Sequence, residues 1–251
     1  MRAIKHITAI LFIGIGLLSC KNDTPPTPVE PVNTLKLTVQ PVYGGETLYL
    51  DSTYQTSEGY DVQFTDFRFY IQDVKNEGTL FKDVSLYDYR ARGIDLISVE
   101  GDKDDFTSLQ ANLGVGADVN HNDPVGAFDP DSWLYISNAN DMHWDWNPGY
   151  IFVKVEAKVD TIPDGNALFD HNVVFHVGKD ENLETLSFDN IQWVSEGNGY
   201  TFPLKLDMQQ FLSNNSSTID LKTEFTSHTL PGQEALSTKI MVNFKDALTP
   251  Y

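Results

Sequence analysis

From Thr34 onward the chain is dominated by alternation. Leu35, Leu37 and Val39 take turns with polar residues. Phe67, Phe69 and Ile71 share one parity. So do Ile151, Val153, Val155, Ala157 and Val159, while Lys154, Glu156 and Lys158 take the other. Val173, Phe175 and Val177 repeat the pattern, as do Leu204 with Leu206 and Ile219 with Leu221. Period two marks strands with one buried and one wetter face. Gly44-Gly45, Glu58-Gly59, Asp164-Gly165 and Gly197-Asn198-Gly199 punctuate the runs as turns. Helix is expected only at Met208–Leu212 and Glu234–Ala247. The predicted fold is all-β: a single antiparallel β-sandwich over residues 34–251, with Ile151, Val153 and Val155 facing inward.

One stretch interrupts the alternation. Gly116 to Gly149 is rich in Asp, Asn, Pro and Trp. A long irregular segment inside a compact domain is usually functional or disordered. Trp133, Trp144 and Trp146 argue against disorder. The insertion is expected to lie across one end or edge of the sandwich.

The N-terminus has a different logic. Arg2 and Lys5 precede an apolar run from Ile7 to Leu18, and Leu17-Leu18-Ser19-Cys20 has the form of a bacterial lipobox. Residues 1–19 are expected to be a signal peptide. The run is shorter than the roughly 20 residues of a membrane span. Cys20 is the expected lipid attachment site, and residues 20–33 form a proline-rich tether. Lys21-Asn22-Asp23 resembles the charged export tag of surface lipoproteins in the Bacteroidota. These features place the protein in the cell envelope, anchored to the outer membrane and either periplasmic or surface-exposed. Cys20 is the sole cysteine, so the domain has no disulfide, thiolate metal site or cysteine nucleophile.

Charge narrows the partners. The chain carries 17 basic and 36 acidic residues, a net of −19. Nucleic acid is excluded as a partner, whereas cations are attracted. No helical zincin spacing, phosphate loop or Gly-x-Ser-x-Gly elbow is present, so no enzyme activity is expected. Asp118, Asn120, Asn122 and Asp129 fall at positions one, three, five and twelve of a calcium-loop pattern, but Asp123 replaces the glycine at position six. Of the histidines, His6 leaves with the signal. His121 and His143 lie in the irregular segment, and His171 and His176 bracket a strand. His176 has the parity opposite to Val173 and Phe175. His228 sits in a late polar stretch and is expected to be unrelated to any site.

Four motifs in order add a resemblance. Phe67-Arg68-Phe69-Tyr70-Ile71, Asn120-His121-Asn122-Asp123-Pro124, Met142-His143-Trp144-Asp145-Trp146-Asn147-Pro148-Gly149-Tyr150-Ile151-Phe152 and Phe175-His176-Val177-Gly178 resemble segments of the MbnP-like copper-binding family. Gly114-Val115-Gly116-Ala117 departs from the Gly-Val-Pro that relatives often have. The resemblance implies a periplasmic or surface β-sandwich that occurs with a di-haem, peroxidase-like enzyme. That partner oxidises a tryptophan to kynurenine, whose amine binds copper with two histidines. By motif the metal ligands here are His121, His176 and Trp144, with Trp146 the alternative to Trp144. Two imidazoles suit copper, as Cu(I) or Cu(II).

The expected function is therefore copper binding in acquisition or handling. The alternative is a surface lipoprotein that binds calcium or a glycan through the Asp/Asn/Trp-rich segment. Copper requires the histidines and Trp144 to converge. A glycan requires open indole faces rimmed by carboxylates. A purely structural role requires buried indoles and scattered histidines.

Overall fold

The computed structural model describes residues 33–144, 149–162, 164–166 and 168–251. The proposed signal, Cys20, the tether as far as Val32, and Trp146 lie outside them. In chain order the strands are β1 (Asn33–Tyr43), β2 (Glu46–Thr47), β3 (Thr53–Gln55), β4 (Asp61–Asn76), β5 (Thr79–Asp88), β6 (Asp95–Gly101) and β7 (Leu109–Leu113). After the insertion come β8 (Ile151–Asp160), β9 (His171–Gly178), β10 (Glu184–Phe188), β11 (Val194–Glu196), β12 (Gly199–Asp207), β13 (Thr226–Ser227) and β14 (Leu248–Pro250). The helices are α1 (Tyr89–Arg92), α2 (Ala117–Asn120), α3 (Met208–Leu212) and α4 (Glu234–Ala247). The last two have the bounds expected from the sequence. Asp207 caps α3, its Oδ1 accepting the N–H groups of Gln209 and Gln210 at 3.0 and 3.4 Å.

Two sheets form the expected all-β sandwich. The smaller runs β11-β12-β1-β2, with β14 on β12 and β6 on β1. The larger runs β10-β7-β4-β8-β9-β13, with β3 and β5 pairing the ends of the long β4. The sheets are mixed, not purely antiparallel as predicted: β1 and β12 pair in parallel, as do β9 and β13. Alternation reports which face is buried and is blind to strand direction.

The alternating apolar sets meet inside. Leu35, Leu37, Val39, Phe67, Phe69, Val153, Val155, Phe175 and Val177 are all fully buried. The Tyr87 hydroxyl donates to the Val39 carbonyl at 3.0 Å and joins β5 to β1. From α4, Phe244 meets Phe69 and Phe211 edge-on, and Phe211 meets Phe175. Each such ring contributes about 1.5–3 kcal/mol on burial. Ile151 is buried as expected. The β8–β9 register shifts between Ile151 and Val153, and Ile151 borders a cavity with Trp144 and His176.

The insertion lies over the outward face of the larger sheet, not across an end or edge. Arg68 Nη1 donates to the Asn140 carbonyl at 2.5 Å, and the Tyr70 hydroxyl donates to the Trp133 carbonyl at 3.0 Å. Gln72 Oε1 accepts the Gly116 N–H at 2.5 Å. Arg68, Tyr70 and Gln72 share the parity opposite to Phe67, Phe69 and Ile71. A backbone with little ladder of its own needs other partners, and the polar residues of β4 supply them.

Candidate metal centre

The centre grows from the end of β9. Phe175 and Val177 point into the core, so His176 and Gly178 point outward. Strand β8 runs alongside, with Lys154 opposite His176. The carboxylate of Glu156 lies on the same face, and its Oε1 is 2.9 Å from His176 Nε2. That hydrogen bond and the nearby Lys154 ammonium, 3.3 Å away, outweigh burial and hold the Glu156 carboxyl down at about 2. An ionised carboxylate only accepts hydrogen bonds, so Nε2 of His176 carries the proton. Nδ1 is then the nitrogen of the neutral ring with a lone pair to offer a metal.

Gly178 is a seat for an indole. A Cβ placed there would stand 2.8 Å from Trp144 Cη2, 2.9 Å from Cζ3 and 2.3 Å from the Tyr150 carbonyl oxygen. Residues 142–144 pair with residues 149–151. Trp144 N–H reaches the Gly149 carbonyl at 3.1 Å, Ile151 N–H reaches Met142 O at 2.8 Å, and His143 bridges to Tyr150. These bonds hold His143 and Trp144 above β9. A cavity of about 450 Å³ results, with Asp141, His143, Trp144 and His176 as its chemically active walls and Ile136 and Ile151 beside them.

His121 follows α2 and reaches the end of the same strand through Asp180. Its Nε2 is 3.0 Å from Asp180 Oδ2, and Asn120 Nδ2 donates to the other carboxylate oxygen at 2.7 Å. Asn120 is buried, and its Oδ1 accepts the Tyr150 N–H at 2.8 Å. The asparagine of the Asn-His-x-Asp-Pro motif thus ties three segments together. Burial pushes the Asp180 carboxyl up. The bonds from Asn120 and His121, with the charge of His121, outweigh it and leave the group below its ordinary value. Both predicted histidines therefore rest Nε2 on a carboxylate. The His176 side chain is 17% exposed and that of His121 53%. Trp144 sits on Gly178, two residues after His176 and two before Asp180.

Several partners escaped the sequence. Glu156 and Asp180 became legible only with the register of β8, β9 and the following turn. His228 was expected to be unrelated, yet its ring lies 5.0 Å from that of His176, centre to centre, at 86°. Parallel pairing of Thr226 with Val174 and Ser227 with Phe175 sets residue 228 opposite 176. Burial and the neighbouring His176 lower the His228 pKa, which favours its neutral, lone-pair-bearing form.

The other expectations sort as follows. Among the described residues, no three His, Cys, Asp or Glu side chains are already gathered as a metal cage. The calcium-loop pattern is not laid out as a loop, because residues 117–120 form a helical turn and Asn120 Oδ1 is spent on Tyr150. Trp144 is buried, and the Arg92 guanidinium covers the Trp133 ring at 4.5 Å, so neither presents an open face to a sugar.

A mixed β-sandwich in which His143, Trp144 and His176 line one cavity defines the class. The chain belongs to the MbnP family, whose model matches residues 32–230. The solved structure of MbnP from Methylosinus trichosporium is similar at 16% sequence identity and a TM-score of 0.44, over 75% of this chain and 79% of that one. No curated protein matches.

Proposed function

We propose that the protein is a non-enzymatic, copper-binding lipoprotein of the cell envelope that acts in copper acquisition or handling. His121 and His176 are the imidazole donors. The observation that carries this reading is that both rest Nε2 on a carboxylate, Asp180 and Glu156. Metal-binding histidines are oriented in this way by their outer partners. Imidazole suits copper, which stands high in the divalent affinity order.

Trp144 is the third donor after modification. An indole N–H only donates, because the nitrogen lone pair belongs to the ring. A peroxide-using di-haem partner would cleave the indole C2–C3 bond with addition of two oxygens from peroxide, and hydrolysis would release C2 as formate and leave the aryl amine of kynurenine, which coordinates. Trp146 is the alternative target.

The test is copper titration under reducing conditions with a competing chelator. His121→Ala and His176→Ala should each weaken binding by at least the 10–100-fold typical of losing an outer-shell partner. His171→Ala is the reference, since that ring stacks on Phe225 with centres 4.6 Å apart. Equal affinity in all variants would sink the reading. Intact mass of protein from its native host reports whether a tryptophan is oxidised.

The anchor has its own test. Cys20→Ser should shift the protein from the membrane fraction to the soluble one. A Ser variant that still sediments with membranes means that something else anchors it.

A further inference from the structure

Resting on the copper reading above, we propose that His228 is a further copper ligand and forms an imidazole pair with His176. The backbone around His228 is fixed on both sides. Its N–H donates to Gln233 Oε1 at 2.8 Å. The next residue, Thr229, is buried, and its Oγ1 accepts the Gly178 N–H at 3.2 Å. The preceding Ser227 is also buried and bonds Ser237 through its hydroxyl at 2.8 Å. Between these anchors the His228 side chain lies beside His176 and is only partly buried.

The spacing matches shared coordination. Two imidazoles on one ion, each with a metal–nitrogen bond of about 2 Å, have ring centres about 5 to 6 Å apart. The observed 5.0 Å lies at the near end of that range. Glu156 already occupies Nε2 of His176, which turns Nδ1 to the task. Both donors are imidazoles of the chain as made, whatever the oxidation state of Trp144. The pair therefore gives the protein two nitrogen donors before any tryptophan is oxidised.

The experiment uses the mature chain with unmodified tryptophan and Cu(I) as the probe. Affinity is read by chelator competition in wild type, His228→Ala, His228→Gln, His176→Ala, His121→Ala and the His171→Ala reference. Thermal melts check that each is folded. Nitrogen-15 ring shifts of His228 in the wild type, with and without one equivalent of Cu(I), give a readout that needs no variant. The expected result is a loss of roughly tenfold or more in both His228 variants, together with a Cu(I)-dependent shift of a His228 ring nitrogen. Wild-type affinity in the His228 variants, with His176→Ala weakened, would overturn the pair and leave the copper reading standing. An unshifted His228 ring in copper-loaded wild type would overturn it as well. If none of the His121, His176 and His228 variants binds more weakly than wild type, the copper reading fails and this assignment fails with it.

Discussion

Replacing Arg68 with Met is expected to destabilise the domain by about 3–5 kcal/mol, the cost of breaking a buried ion pair from one side. Arg68 stands on the outward face of β4, yet the insertion covers it. Its side chain is 13% exposed, and those of Asp66 and Asp88 are 8% and 4% exposed. Arg68 Nη2 is 2.9 Å from Asp66 Oδ2, and its Nε is 3.3 Å from Asp88 Oδ2. Without the guanidinium, two carboxylates remain in a poorly solvated place. Lys154, 3.5 Å from Asp66, offsets only part of that. Methionine keeps the aliphatic length, so the loss reports charge and hydrogen bonding more than volume. The insertion should also loosen, because Arg68 holds the Asn140 carbonyl and Asn140 donates to Asp88 at 2.5 Å. Arg68→Lys should recover little, since an ammonium cannot span the same partners as the planar fork. Urea unfolding measures the effect. A loss below about 1 kcal/mol, the scale of an exposed pair, would show that water reaches these carboxylates.

The same row explains how the candidate site around His176 is wired into the sheet. Arg68 lies opposite Lys154, and Lys154 lies opposite His176. The cations of Arg68 and Lys154, directly across neighbouring strands, would repel. Asp66, Asp88 and Glu156 interleave with them and turn the row into a network. Glu156 is at once a counter-charge for Lys154 and the orienting partner of His176.

How much of this was legible from the chain alone follows from which interactions are local. The strands around Phe67–Ile71 and Val153–Val159 announced themselves because burial alternates along the backbone. Helix α3 was visible through the break in alternation after Asp207, which then proved to be its cap. The parallel pairing of β1 with β12 was not legible, since it joins segments more than 150 residues apart and leaves the same alternation as an antiparallel pair. The site followed the same rule. His176 could be turned outward by parity alone. Its partners Glu156, on β8, and His228, just after β13, are brought to it only by pairing register. The insertion was recognised as special by composition, but where it lies was set by the polar face of β4, which reads like any solvent-facing strand.

Gly178→Ala is expected to cost about 1–3 kcal/mol or more, as overpacking of a filled site does, and to move Trp144 out of the cavity wall. The added Cβ would stand 2.3 Å from the Tyr150 carbonyl oxygen and within 2.9 Å of two carbons of the Trp144 benzo ring. A long side chain could swing aside, but the carbonyl belongs to the backbone. That backbone is fixed by the Ile151–Gly178 pairing, by the His143–Tyr150 bridge and by Asn120 on the Tyr150 N–H. Relief must therefore come from the return segment that carries His143 and Trp144. His176 keeps its own bond to Glu156, so the variant separates displacement of the indole from loss of the histidine. The expected result is a lower melting temperature and altered tryptophan fluorescence. Under the copper proposal, binding by the unmodified histidines should fall less than in His176→Ala. A Gly178→Ala protein with unchanged stability and unchanged tryptophan emission would mean that β9 and the return segment are not packed as tightly as the motif requires.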